Sequence, residues 1–291
     1  MAAFGSHRLP GVALAPALLL LVAGGCGGVR INEQYLDEGL TIVLPGIDGP
    51  GLHNANICRS LADQNVPTAI VLYDWTVPGG TLINQCAVGR NRHAAARLAE
   101  HVADYRRAHP HKPVYLIAHS GGTAIAVWAA EALPPGERVD GIFLLGSSLS
   151  PGYDLSAALA ATKWLVNYYS ADDAMLLGAG CAAIGTMDRR FTPAAGKVGF
   201  AMTHPRLTQL PHDATMTAAG HDGSHLSYCG SAFIREYLAP ILRTGVPDVA
   251  AAPTVALARP YAPLLRQAIE PLAYAPTFLA PRRQGVVVAA K

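Results

Sequence analysis

Val114-Tyr-Leu-Ile-Ala-His119-Ser120-Gly121-Gly122, running straight into Thr123–Ala132, decides how the rest of the chain is read. The aliphatic and aromatic run Val114–Ala118 predicts a strand, and the Ala-rich stretch Gly122–Ala132 (GTAIAVWAAEA) predicts a helix. Between them stands a serine among small residues. A serine there occupies a strained strand-to-helix turn, and small residues two before (Ala118) and two after (Gly122) relieve the crowding. Its hydroxyl would stand clear of the sheet, with a helix N-terminus directing positive partial charge at any developing anion. The same string also suits a plain Ser-Gly-Gly helix cap in a βαβ unit. Its surroundings have to decide between the two.

Outward from this turn, short apolar runs alternate with helical patterns from about Asp37 to Thr244, which is the signature of a parallel α/β sheet. Strands are expected at Leu40–Leu44, Thr68–Tyr73, Val114–Ala118, Gly141–Leu145, Leu165–Tyr169 and Arg206–Leu210. These are short apolar runs rather than strictly alternating ones, as expected of strands covered on both faces. Asn91–Arg107 carries Ala94, Leu98, Val102 and Tyr105 at helical spacing. Ser231–Arg243 also reads as a helix, bent or ended by Pro240. The fold class expected is therefore α/β: about six mostly parallel strands with helices on both faces. Little chain lies between Leu145 and Leu165, so no large cap domain is expected, and Thr186–Pro205 is the segment available to cover a site.

Composition narrows the function. The apolar class makes up 51% of the 291 residues and charged residues 14%, against about 25% in an average soluble domain. Disorder is excluded, since it needs low hydrophobicity and high charge. Lys+Arg number 22 against 20 Asp+Glu, with no basic run to follow a phosphate backbone, so no nucleic-acid partner is expected.

The ends read as processing and tail segments. His7 and Arg8 precede an apolar stretch, Gly11–Ala23, then Gly24, Gly25 and Cys26. The stretch is short for a membrane span, which takes about 20 apolar residues. Residues 1–25 are read as a signal peptide, and the arrangement resembles a bacterial lipoprotein signal. That resemblance implies lipidation of Cys26, a membrane anchor, and an exported protein, periplasmic or membrane-anchored in a bacterium. An ordinary cleaved secretion signal, with Cys26 incidental, is the alternative. Residues 26–36 are read as a linker, 37–244 as the domain, and 245–291, with seven prolines, as a Pro/Ala-rich tail. In an oxidising compartment Cys58, Cys86, Cys181 and Cys229 can pair in three ways or remain buried thiols.

Three further stretches carry chemistry. Thr41-Ile-Val-Leu-Pro-Gly46-Ile47-Asp-Gly49-Pro-Gly51 is a strand ending in a glycine-rich loop. Tyr168-Tyr-Ser-Ala-Asp172-Asp173 puts acidic residues just past a strand, and Gly220-His221-Asp-Gly-Ser-His225-Leu226 precedes the last helix. Taken in order, strand and glycine loop, turn serine, strand-end aspartate and late histidine, the region from about Leu40 to Arg243 resembles the α/β-hydrolase family, of the serine esterase or lipase kind.

The resemblance implies a Ser-Asp-His catalytic triad and no cofactor. Ser120 would be the nucleophile. Asp173 is the preferred acid with Asp172 in reserve; Asp154, before Ser156 and Ala157, suits a helix start better. His225 is preferred over His221 as base. The backbone N–H groups of Ile47 and Gly121 would form the oxyanion hole. The implied reaction is cleavage of a small-molecule or lipid carboxylic ester through an acyl-serine intermediate. A catalytically inactive binding lipoprotein on the same fold is the alternative. No metal is expected: His221 and His225 are four apart, but Gly220 and Gly223 oppose a helix and no HExxH occurs. Gly178-Ala-Gly180-Cys-Ala-Ala183 has the G-x-G-x-x-A form of a dinucleotide loop, but lacks the acidic residue about 20 positions on. It is read as a loop leading back to the last strand.

Overall fold

The computed structural model describes residues 30–247; the signal segment, Cys26 and nearly all of the Pro/Ala-rich tail lie outside the described residues. Its frame is one sheet of seven strands: β1 (Arg30–Ile31), β2 (Leu40–Leu44), β3 (Ala69–Leu72), β4 (Val114–His119), β5 (Val139–Leu145), β6 (Thr162–Tyr169) and β7 (Leu207–Pro211). They lie in the order β1-β3-β2-β4-β5-β6-β7. The six from β2 to β7 are parallel, and β1 pairs antiparallel with β3. The two residues of β1 come from the segment read as linker. A strand of two residues is too short to show any period, and only its pairing with Ile70 and Val71 reveals it.

Period-2 alternation sorts each central strand between two cores. On one face Leu40, Ile42, Leu44, Leu116, Ala118, Ile142 and Leu144 are buried with Leu98, Val102 and Ile125. The last three belong to α3 (Val88–Ala108) and α4 (Gly122–Glu131), which follow α1 (Leu52–Asp63) and α2 (Thr81–Cys86) along the chain. On the other face Val43, Ile117, Phe143, Leu145 and Val166 pack with Ile57 and Leu61 of α1 and with Phe233, Ile234 and Leu238. Both faces being covered explains why the central strands read as apolar runs.

The remaining helices are short: α5 (Ser156–Ala160), α6 (Cys181–Ile184), α7 (Ala195–Val198), α8 (Ala214–Ala218), α9 (Ser231–Phe233) and α10 (Ala239–Thr244). The last helix of the sequence reading is split. Ile234–Leu238 forms a wider π-helical turn, and Pro240 sits in the first turn of α10, where a missing N–H costs nothing. Only residues 146–161, with α5, join β5 to β6, so no cap domain interrupts the sheet there.

Cys58, Cys86, Cys181 and Cys229 are free thiols, and no disulfide joins any pair of them. Burial pushes Cys58, Cys181 and Cys229 up to about 12, so each behaves as a small apolar side chain. Among the described residues no helix is long and apolar enough to cross a membrane.

The strand order reverses between β2 and β4: the chain leaves β2 toward β3, then returns to build β4 to β7 on the other side. At such a switch point the loops after the two strands diverge and leave a crevice at their carboxyl ends. The loop after β2 carries Gly46 and Ile47, and the turn after β4 carries Ser120.

Candidate active site

Ser120 has φ +55, the left-handed region that non-glycine residues rarely occupy. The strain is held by packing and three hydrogen bonds. The Ser120 N–H donates to Leu145 O at 3.0 Å, while Thr123 N–H (3.0 Å) and Thr123 Oγ1 (2.5 Å) both donate to Ser120 O. Thr123 Oγ1 in turn accepts the Ser148 N–H, tying the turn to the loop after β5. The glycines after the serine are there for close approach. A Cβ on Gly122 would lie 2.5 Å from Pro45 O, and one on Gly121 would lie 2.4 Å from Ile47 Cγ2 and 3.3 Å from Ile47 N. No larger residue fits. The Ile47 amide is thereby brought beside Gly121 at the start of α4. Asn84 of α2 donates to Ile47 O at 2.8 Å and Trp75 Nε1–H donates to Pro45 O, which fixes this loop from below.

Asp173 follows β6 and is 3% exposed; its Oδ1 accepts the Leu177 N–H at 3.4 Å. Its Oδ2 lies 2.5 Å from Nδ1 of His225, 52 residues further on and itself 8% exposed. A carboxylate can only accept, so Nδ1 carries the proton and Nε2 presents its lone pair. The His225 ring rests over Gly146, where a Cβ would meet the ring at 3.4 Å and where φ is +61. Leu145, which anchors the Ser120 backbone, and Gly146, which floors the His225 ring, are consecutive, so both residues are anchored at the end of β5. No hydrogen bond joins Ser120 Oγ to His225 among the described residues. In free enzymes such contacts are often long and tighten only around bound substrate.

The reserve residues lie elsewhere. Asp172 is exposed and 3.6 Å from His212 Nδ1, and Asp154 Oδ1 accepts the Ser156 N–H at the start of α5. His221 is fully buried; its Nδ1 accepts the Gly223 N–H at 3.0 Å and lies 2.9 Å from Ser227 Oγ. Its carbonyl accepts from His212 Nε2. His221 therefore brackets the loop carrying His225 and does not face the serine turn. Among the described residues no group of His, Cys, Asp and Glu could hold a metal ion. Gly178–Ala183, read as a loop, is a π-helical turn (Met175–Gly180) leading into α6, with no strand directly before it. Neither Thr123 nor His119 was singled out in the sequence, although both flank Ser120. Their partners, Ser148 and His225, are remote along the chain.

Burial, reinforced by the neighbouring His225, lowers His119 to about 3; burial, reinforced by His212, lowers His221 to about 4. Both are neutral in the folded protein at pH values where an unfolded histidine, near 6.5, is protonated. Between those limits the unfolded chain binds more protons, so stability rises with pH and is lost as pH falls below about 6.5. The two groups together remove at most about 2.7 kcal/mol per pH unit. Calorimetry from pH 8 to pH 4 should show a flat Tm above pH 7 and a steep fall below 6.5. A Tm unchanged down to pH 4.5 would mean that neither imidazole is held neutral.

A family profile described as the alpha/beta hydrolase fold matches residues 18–177, more than half of the chain. The chain belongs to the α/β-hydrolase fold family. No curated protein matches it in sequence. Among solved structures it is similar to a Xanthomonas campestris α/β serine hydrolase without a lid, at 15% identity over 75% of this chain and 84% of that one, TM-score 0.44. It is also similar to the thioesterase domain that cyclises the lipopeptide surfactin (14% identity, 74% and 93%, TM-score 0.40). An esterase domain from Rhodothermus marinus is similar at 17% identity (74% and 89%, TM-score 0.39). Ser120 lies directly after β4, one of the two strands that flank the switch point.

Proposed function

We propose that the protein is a serine hydrolase that cleaves carboxylic esters through an acyl-serine intermediate. The observation that carries this reading is the buried 2.5 Å Asp173–His225 pair beside a serine held at φ +55. His225 Nε2 takes the proton of Ser120 as Oγ attacks the ester carbonyl. Asp173 holds the imidazole in the required tautomer and stabilises the imidazolium that forms. The N–H groups of Ile47 and Gly121 receive the oxyanion, each donor contributing roughly 3–4 kcal/mol. The imidazolium then protonates the leaving alcohol, and water, activated by the same histidine, releases the acid. Labelling with a fluorophosphonate and mass mapping tests the reading: modification at Ser120, lost in His225→Ala and kept in Asp172→Asn, is the expected result. A folded protein that does not react would be the binding lipoprotein instead.

The substrate class we favour is an ester with an apolar acyl chain. Several of the large apolar side chains exposed among the described residues lie close in sequence to the site residues. Leu52 (79% exposed) follows the Ile47 loop, Leu82 and Ile83 lie on α2, Leu176 follows Asp173, and Leu226 follows His225. Contiguous exposed apolar surface marks a binding site, and these are the side chains from which one beside Ser120 would be built. With p-nitrophenyl esters, kcat/KM should rise about fourfold per added methylene from acetate toward octanoate, matching about 0.8 kcal/mol per buried CH2. A maximum at acetate would discard the apolar substrate and leave the nucleophile untouched. The signal-like residues 1–25 and Cys26 support export and lipid anchoring of this hydrolase; a lipid-sized mass loss in Cys26→Ser, expressed in a bacterium, is the corresponding check.

A further inference from the structure

His119, the residue before Ser120, has no part in the chemistry above. It ends β4, is 3% exposed, and its Nε2 lies 3.0 Å from the backbone oxygen of His225. A carbonyl can only accept, so Nε2 carries the proton and donates. The two rings lie 4.8 Å apart, tilted by 41°. Nδ1 of His119 is buried with no partner among the described residues. The ionisable groups felt by this ring are His225 and His53 of α1.

An unpaired buried acceptor is unfavourable, and an aliphatic side chain in this core would avoid that cost. The histidine is accepted all the same, and its one hydrogen bond reaches the main chain of the residue proposed as base. Asp173 orients the His225 ring and Gly146 floors it, but neither holds the His225 peptide. The bonds within the loop, from Ser227 N–H to Ser224 O and from Gly223 N–H to His221 Nδ1, do not reach β4. The His119 bond does.

We infer that His119 is a positioning residue, tying the strand that carries Ser120 to the peptide that carries His225 and so setting the approach of nucleophile and base. The inference rests on the reading of those two residues given above. Because His119 stays neutral, it adds no second positive charge beside the imidazolium formed during turnover.

The test compares His119→Leu, which removes the donor, with His119→Gln, whose amide N–H takes the place of Nε2–H, in the full mature chain. Two readouts are followed: ester kinetics with the fluorophosphonate labelling rate, and the downfield proton NMR signal of His225 Nδ1–H, assigned by its loss in Asp173→Asn. His119→Leu should lower kcat and the labelling rate 10- to 100-fold with KM within twofold, as expected for a misplacement of about 1 Å. Its Nδ1–H signal should shift or broaden, and His119→Gln should recover both readouts to within about fivefold of wild type. If His119→Leu does not fold, His119→Asn, too short to reach the carbonyl, takes its place. Full activity with an unmoved signal in His119→Leu, or equal impairment in the Leu and Gln variants, overturns the inference. Should wild-type Ser120 fail to label, the hydrolase reading falls, while the NMR comparison still decides whether His119 positions His225.

Discussion

Ser120→Ala is expected to lower kcat/KM by about 10⁵-fold and to abolish fluorophosphonate labelling, while the protein remains folded. The size follows from serine hydrolases in general, where loss of the nucleophile leaves only the catalysis supplied by oxyanion donors and binding. The fold should survive because the bonds holding this turn involve the backbone of Ser120 and the side chain of Thr123, and no bond of the serine hydroxyl is among them. A second substitution separates chemistry from strain. Ser120→Gly also lacks the hydroxyl, but glycine adopts φ +55 without a steric penalty. Against Ser120→Ala it should be more stable by about 1 kcal/mol, a Tm difference of roughly 2–4 °C for a domain of this size. Equal inactivity with a higher Tm in Ser120→Gly would show that backbone strain is maintained for the position of the hydroxyl. Retained turnover in Ser120→Ala would move the nucleophile elsewhere and end the proposed mechanism.

Asp173→Asn should lower kcat by about 10⁴-fold with little change in KM or in fold. The buried carboxylate accepts from His225 Nδ1 at 2.5 Å, which leaves the Nε2 lone pair toward the serine. An asparagine amide donating to Nδ1 would favour the opposite tautomer, with the proton on Nε2, and the histidine could no longer take one from Ser120. Asp172→Asn is the control: that side chain is exposed and faces His212, so activity should stay within twofold of wild type. Comparable losses in both variants would mean that the charge of the Asp172–Asp173 segment matters, and not the contact with His225.

How far these residues could be read in advance depends on the range of the forces that place them. The strand at Val114, the Ala-rich helix after Gly122 and the serine between them are decided by neighbours within a few positions. Strand propensity, helix propensity and the crowding of one turn are all local. The central parallel strands were legible for the same reason, since burial on both faces writes apolar runs into them, and the ends of all six came within a few residues of those observed; half-buried β7 (Leu207–Pro211) mixes polar residues into its run. β1 was not legible, because two residues carry no period. Nor did the Gly178 segment reveal its π-helical turn, whose Leu177 accepts the Ala194 N–H and donates its own N–H to Asp173 Oδ1.

The site divides along the same line. Sequence order narrowed the candidate acid to Asp172 or Asp173 and the candidate base to His221 or His225, with Asp173 and His225 preferred, but no local pattern shows the contact between them. Asp172 and Asp173 are adjacent, yet the placement of the segment after β6 leaves Asp172 exposed and buries Asp173 against a histidine 52 residues away. His221 and His225 differ in the same way: one is enclosed by Tyr228, Phe233 and His212, the other lies over Gly146 at the end of β5. The bond from His119 to the His225 carbonyl spans 106 positions and has no local signature. The strand segments and the serine turn were legible because each follows from contacts between near neighbours, whereas the strand order and the crevice it opens come from pairings such as Leu40 with Val114, remote along the chain. The Asp173–His225 contact has no such local cause: it exists only once β4, β5 and β6 lie side by side and bring together residues 52 positions apart.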